Sequence, residues 1–170
     1  MSFTKNEIIL CLLMIFMASG ISKAQAQAVI VEADSLDRPY DPAANAQADI
    51  DGILAAAKLE NKNIILQAGG NWCIWCLRFN NFIHENAAVY GFLDKNFIYY
   101  HLNYSKENKN EAVFQKYAPE GSKLGYPFFI VLNPDGKVLT LQESGGLELD
   151  KSYDQEKVLS FLKSWVREKK

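Results

Sequence analysis

The sequence has no excess of basic residues, and it contains few histidines and few cysteines. Its 170 residues carry 18 lysines and arginines against 20 aspartates and glutamates, for a formal net charge of −2. That balance argues against nucleic acid as a partner. The chain has 2 histidines, His84 and His101, and 3 cysteines. A structural zinc site takes four ligands in most cases, and neither histidine has ligand spacing to a pair of cysteines, so we expect no metal.

The chain also lacks an apolar run long enough to span a bilayer, which takes roughly 20 residues. The N-terminal run at 8–17 is shorter, follows a basic start and is itself followed by small residues and spaced alanines. This order is typical of a secretory signal peptide. We therefore assign residues 1–26 to a signal peptide that is cleaved near 26–28, and we expect secretion across the inner membrane into the periplasm. A retained membrane anchor is the alternative.

The remainder is long enough for one domain, which we place at 45–170 behind a leader segment at 27–44. The leader is expected to be an edge strand or an ordered arm. Short apolar runs predict strands at 63–68, 97–103 and 127–132, and the Asn-Pro-Asp-Gly sequence at 133–136 predicts a turn into an antiparallel strand. Helical patterns lie at 41–62, 73–80, 86–96, 106–118 and 154–170. The alternation predicts an α/β fold with a central mixed sheet flanked by helices on both faces.

Cys73 and Cys76 lie in the sequence Trp-Cys-Ile-Trp-Cys, between a predicted strand and a predicted helix. A disulfide between them fits an oxidising compartment, but in the chain-entropy model so small a loop adds only about 2 kcal/mol of stability. A purely structural staple is therefore the weaker interpretation. At a helix start, unpaired N–H groups and the macrodipole favour thiolate over thiol, which makes Cys73 a candidate nucleophile. Cys76, one turn later, is placed to attack a mixed disulfide on Cys73.

This motif, followed by GYPFFIVLNPDGKV at 125–138, resembles the thioredoxin superfamily. The segment FIHENAAV narrows the resemblance to secreted thioredoxin-like proteins of bacteria. The resemblance implies a thioredoxin-like fold, a redox-active disulfide without an organic cofactor, and a cis bond before Pro127 that turns the Tyr126 backbone toward the cysteines as a docking edge for substrate. Trp72 is expected as a shield packed beside Cys73, with simple core packing as the alternative. Trp75 is expected near the surface, where it either contacts substrate or only covers the sheet edge.

The chain departs from that family where the second cysteine must lose its proton. Gln67 stands where thioredoxins have a buried aspartate, and His101 replaces a strand lysine. Because an amide cannot accept the proton, we hypothesise that His101 is the base for Cys76, directly or through a water held by Gln67. Side chains alternate along a strand, so this requires Leu102 to point away from the motif helix.

Together these residues predict a thiol–disulfide oxidoreductase of the cell envelope. The dipeptide Ile74-Trp75 between the cysteines carries no cation, which favours a reductase or isomerase over an oxidase. Its substrates would be protein or small-molecule disulfides and thiols. It would also need a redox partner protein, either membrane-embedded or itself thioredoxin-like. The alternative is a polypeptide-binding or chaperone-like module of the same fold in which the disulfide is inert.

Overall fold

The computed structural model describes residues 34–168, of which 37–168 belong to one compact unit. The signal peptide predicted at 1–26 and the first part of the leader lie outside the described residues. Within the described range, no helix is both long and apolar enough to cross a membrane.

Helices and strands alternate along most of the unit. The helices are α1 (Ala46–Glu60), α2 (Ile74–Glu85), α3 (Ala87–Asn96), α4 (Glu111–Tyr117) and α5 (Gln155–Ser164). The strands are β1 (Asn63–Gly69), β2 (Phe97–Asn103), β3 (Phe128–Leu132), β4 (Val138–Glu143), β5 (Glu148–Leu149) and β6 (Ser152–Tyr153). Short 3-10 turns at Gly121–Leu124 and Gly145–Leu147 precede β3 and β5.

The main sheet has the strand order β2-β1-β3-β4. β1 pairs in parallel with β2, which aligns Gln67 with His101, and antiparallel with β3, which aligns Gln67 with Phe129. β3 and β4 form the antiparallel hairpin expected from the Asn-Pro-Asp-Gly turn. In that turn the Asn133 side chain accepts the N–H groups of Asp135 and Lys137 at 3.0 and 2.9 Å, and Gly136 supplies the positive φ of 79°. The predicted mixed sheet is confirmed.

Two apolar cores cover the two faces of the sheet, as the predicted fold class requires. Alternate residues of β1 and β3 point to opposite sides, so that Ile65 and Phe129 face α2, α3 and α5, whereas Leu66 and Ile130 face α1 and α4. β1 is buried at every residue, as expected for a strand between two others and between two helical layers. The cysteine motif therefore follows directly from a strand that is buried and held on all sides.

Several helix boundaries differ from the predictions, and a side-chain cap explains the first of these differences. α1 begins at Ala46 rather than near residue 41, because the Asn45 side chain accepts the N–H of Ala48 at 3.2 Å. α2 runs past residue 80 to Glu85. Asn86 begins α3 as predicted, accepting the N–H of Val89 at 3.1 Å. α4 and α5 are shorter than predicted, and the β5-β6 hairpin was not predicted.

The part of the leader from residue 37 onward is an ordered arm without helix or strand until α1. Its Tyr40 is only 2% exposed. Asn71, in the turn before the cysteines, holds the Tyr40 backbone from both sides: its Oδ1 accepts the Tyr40 N–H at 3.1 Å and its Nδ2 donates to the Tyr40 carbonyl at 2.7 Å. This clamp fixes the arm against the cysteine motif.

Candidate active site

The cysteine pair lies where the chain passes from β1 into α2. Cys73 is the N-cap of α2 and forms a disulfide with Cys76, with a Cα–Cα distance of 5.2 Å. The Cys73 N–H donates to the Gly70 carbonyl at 3.0 Å, which closes the turn. The Cys76 N–H donates to the Cys73 Sγ at 3.1 Å. The Cys76 N–H also donates to the Cys73 carbonyl at 3.0 Å. The Cys73 sulfur therefore lies at the positive end of the helix macrodipole and accepts a hydrogen bond from the first turn of α2.

The two sulfurs differ in their access to solvent and in their neighbours. Cys73 is 6% exposed, whereas Cys76 is 0% exposed. The Tyr126 carbonyl oxygen lies 3.5 Å from the Cys73 Sγ, and the bond between Tyr126 and Pro127 is cis. The loop before β3 thus meets the pair on the Cys73 side.

Three aromatic side chains that contact one another on the Cys73 side of the pair form a surface that we call the aromatic platform: Trp72, Tyr104 and Tyr126. Trp72 is 59% exposed, and its Nε1 donates to the Tyr104 carbonyl at 2.7 Å. Its ring meets Tyr126 edge-on at 5.4 Å, and Tyr126 stacks on Tyr104 at 5.5 Å. Trp72 was expected as a packed shield, but the structure makes it the most exposed member of the platform. Tyr104 carried no signal in the sequence.

Trp75 is partly buried and contacts residues outside the platform. Its ring meets Tyr153 of β6 edge-on at 5.9 Å, and the Tyr153 hydroxyl donates to the Trp75 carbonyl at 3.0 Å. The Arg78 guanidinium lies 4.7 Å from the ring centroid, within cation–π range. The small β5-β6 hairpin therefore holds the turn between the cysteines.

Beneath the pair, Gln67 is fully buried and bonded to protein groups at both ends of its amide. Its Nε2 donates to the Tyr40 hydroxyl at 2.7 Å and to the Cys76 carbonyl at 3.1 Å. Its Oε1 accepts the hydroxyl of Tyr99. The hypothesis that Gln67 holds a water gains no support from these bonds. The sequence predicted no role for Tyr40 in the leader, but its hydroxyl bonds to Gln67 and its side chain shares a buried cluster with the cysteines.

His101 lies on the face of the sheet that carries Gln67 and Tyr99, while Leu102 packs in the core on the other face. Leu102 thus points away from the motif helix, which is the geometric condition that the hypothesis of His101 as the base for Cys76 requires. The ring of Tyr40 meets that of His101 at 5.1 Å, and Tyr40 shares a buried cluster with the two cysteines. Among the described residues the His101 Nε2 has no hydrogen-bond partner. Burial lowers the pKa of His101 to about 4, helped by the nearby His84, so this imidazole is neutral at pH 7.

No group of three or more metal-ligating side chains occurs among residues 34–168. The chemistry that the site offers is that of its two sulfurs. One is at a helix start beside an open aromatic surface, and the other is buried beneath it.

Comparison with known proteins places this geometry in a family. A disulphide isomerase from Xylella fastidiosa Temecula1 is 26% identical with a TM-score of 0.66, covering 76% of this chain and 98% of its own. The C-terminal domain of Neisseria meningitidis DsbD, in its oxidised form, is 18% identical with a TM-score of 0.51, covering 72% and 97%, which shows the shared fold alone. No curated protein matches the chain. Residues 45–134 match the family described as thioredoxin-like, and since this is just over half of the chain, the protein belongs to the thioredoxin-like family.

Proposed function

We propose that the protein is a thiol–disulfide oxidoreductase of the cell envelope in which Cys73 attacks and Cys76 resolves. The observation that carries this proposal is the asymmetry of the pair. The Cys73 sulfur accepts the Cys76 N–H at the start of α2 and lies 3.5 Å from the Tyr126 carbonyl, whereas Cys76 is fully buried. A position at a helix start favours the thiolate form of Cys73, which is the form that attacks disulfides.

The reduced pair would act in two exchanges. The Cys73 thiolate attacks one sulfur of a substrate disulfide, and the other substrate sulfur leaves as a thiolate that takes a proton from solvent. Cys76 then loses its proton and attacks the Cys73 sulfur. The bond from Cys73 to the substrate breaks, the Cys73–Cys76 disulfide forms, and the substrate leaves with its second sulfur reduced. The two electrons pass from the pair to the substrate, so no further cofactor takes part.

The aromatic platform is the surface where we place the substrate. It adjoins Cys73, it is open at Trp72, and the loop backbone at Tyr126 presents a carbonyl beside the sulfur. An extended polypeptide can pair with such a backbone edge while its side chains contact aromatic rings. Pro127, which follows in the loop, lies directly before β3. The Trp75 ring already contacts Tyr153 and Arg78, so we assign Trp75 a smaller part in substrate binding than the aromatic platform.

For the direction of electron flow we favour reduction or isomerisation. Ile74 and Trp75 place no cation between the cysteines, and strongly oxidising pairs depend on stabilising the reduced thiolate. The structure from Xylella fastidiosa that this chain resembles is described as a disulphide isomerase. A reductase or isomerase must be kept reduced in an oxidising compartment. The proposal therefore includes secretion to the periplasm and a redox partner protein.

Catalysed reduction of insulin disulfides by dithiothreitol tests the proposed function. The wild-type protein is expected to accelerate the reduction, and Cys73→Ser to abolish the acceleration because a hydroxyl does not attack disulfides at neutral pH. If a folded wild-type protein with a reducible pair gives no acceleration, the oxidoreductase proposal fails and the inert-disulfide alternative takes its place.

Alkylation of the reduced protein reports the asymmetry directly. We expect brief iodoacetamide treatment near neutral pH to label Cys73 at least about tenfold faster than Cys76, because a helix start favours the thiolate and burial opposes it. Mass spectrometry of the digested protein measures both sites. Protein unfolded in urea serves as the control and should label both cysteines alike. Equal labelling in the folded state would contradict the roles given to the two cysteines.

A further inference from the structure

Tyr40 brings a hydroxyl group to the buried sulfur from outside the cysteine motif. It is 2% exposed and packs against both cysteines, and its backbone is held on both sides by Asn71. The Tyr40 hydroxyl and the Cys76 Sγ both border the position that a Cβ on Gly69 would occupy. The two groups are therefore neighbours in a closed part of the site.

The direction of the hydrogen bonds around Gln67 determines what the Tyr40 hydroxyl can do. The Cys76 carbonyl can only accept, so the Gln67 amide nitrogen must face it. The same nitrogen then donates its second hydrogen to the Tyr40 oxygen, and Oε1 accepts from Tyr99. Tyr40 is thus an acceptor in its bond with Gln67, which leaves its own proton available to another acceptor.

We propose that the Tyr40 hydroxyl donates a hydrogen bond to the Cys76 thiolate and so makes Tyr40 a catalytic residue of the resolving step. This rests on the proposed function, in which Cys76 must ionise before it attacks. The proton leaves to solvent, and the phenol stabilises the anion that remains. Donation from Tyr99 through Gln67 to Tyr40 polarises the phenol in the same direction, since successive hydrogen bonds strengthen one another.

The protonation state of Tyr40 fits a donor. Burial raises the pKa of Tyr40 well above its ordinary value, and the hydrogen bond from Gln67 offsets only part of that effect. The phenol is therefore neutral at physiological pH and is not a base. This distinguishes it from the carboxylate that the thioredoxin superfamily has at the position of Gln67, which would take the proton itself.

Other ionisable groups surround the site, and their behaviour must be separated from that of Cys76. They are Cys73 and Arg78 on the motif side, Tyr99 and His101 from β2, Tyr126 from the loop before β3, Tyr153 from β6, and His84, which lines a pocket with His101. Burial raises the pKa values of Tyr99, Tyr126 and Tyr153, and that of His101 is lowered to about 4. The experiment therefore needs a signal that reports the titration of the Cys76 thiol alone.

Titration of the reduced protein with ¹³Cβ-labelled cysteine provides that readout, with the Cys76 resonance assigned by its loss in Cys76→Ser. Tyr40→Phe keeps the ring and removes the hydroxyl. We expect the Cys76 midpoint to move to higher pH and the thiolate fraction at pH 7 to fall about tenfold, the size typical of one hydrogen bond to a charged group. The resolving rate should fall by the same factor, while the attack by Cys73 keeps its rate.

Tyr117→Phe is the matched control, because it removes a buried tyrosine hydroxyl from the core on the opposite face of the sheet; it should leave the Cys76 midpoint unchanged. If Tyr40→Phe does not fold, 3-fluorotyrosine at position 40 tests the same bond with the opposite sign. Its phenol is a stronger donor and should move the midpoint to lower pH.

An unchanged Cys76 midpoint in folded Tyr40→Phe, or in the 3-fluorotyrosine protein, overturns the inference. The titration needs no substrate, so it separates this inference from the proposed function. Insulin turnover by the wild-type protein with no shift in Tyr40→Phe removes Tyr40 alone. A shift in Tyr40→Phe without turnover by the wild-type protein keeps the hydrogen bond and removes the oxidoreductase function.

Discussion

A Cys76→Ser variant is expected to accumulate a covalent complex with a disulfide-bonded protein, joined through Cys73. The first exchange needs only the Cys73 thiolate, which α2 holds at its N-terminus with the residue 76 N–H on the sulfur. The second exchange needs a thiol at position 76, and a serine hydroxyl cannot take its place at neutral pH. The mixed disulfide should therefore persist, where in the wild-type protein it is resolved.

Non-reducing electrophoresis after incubation of the reduced variant with insulin measures this complex, and dithiothreitol should release it. Peptide mapping identifies the cysteine that carries the substrate. Cys73→Ser is the matched variant: it keeps a thiol at position 76 but buries it completely, so we expect no complex. A complex through Cys76 in that variant, at a yield similar to that of the Cys76→Ser protein, would reverse the two roles.

The parts of this fold that the sequence could predict are those with a repeating or local physical signal. The buried strands are short apolar runs, and Asn86 and Asn133 have the chemistry of a cap and a turn. Cys73 and Cys76 stand out because two cysteines three residues apart, between a strand and a helix start, suit a redox pair better than a staple or a metal site. These features depend on near neighbours along the chain, which a sequence shows directly.

Contacts that join distant segments gave no such signal. Tyr40 lies in a leader without periodicity, and its burial depends on Asn71, which is 31 residues away. The β5-β6 hairpin has strands of two residues, too short for an alternating pattern to be visible. Trp72 is the exposed tryptophan and Trp75 the partly buried one, the opposite of the expectation. Their positions depend on Tyr104 and Tyr153, which lie far away along the chain. Tertiary contacts of single side chains therefore separate the observed site from the predicted one.

Gly69→Ala is expected to destabilise the protein, because the added methyl group would collide with the side chains of Tyr40 and Cys76, which are both held in place. A Cβ at this position would lie 2.8 Å from the Tyr40 hydroxyl and closer still to the Cys76 Sγ. Tyr40 is held by Gln67 and Asn71, and the sulfur is held by its bond to Cys73. Gly69 has no positive φ, so the backbone itself would accept alanine. The expected loss in the free energy of unfolding is about 1–3 kcal/mol, the usual cost of overpacking a core.

Gly91→Ala is the control with the opposite expected sign. Gly91 lies inside α3, and no atom lies within 4 Å of an added Cβ, so alanine should raise the free energy of unfolding by about 0.5–1 kcal/mol through the entropy of the unfolded chain. Urea unfolding of both variants, oxidised and reduced, measures the effect. Reduction frees the Cys76 sulfur to rotate away from residue 69, so the loss in Gly69→Ala should be smaller for the reduced protein. Equal stabilities of Gly69→Ala and the wild-type protein in the oxidised state would show that Tyr40 and Cys76 do not close on this strand end, and would remove the steric basis for placing the Tyr40 hydroxyl beside the sulfur.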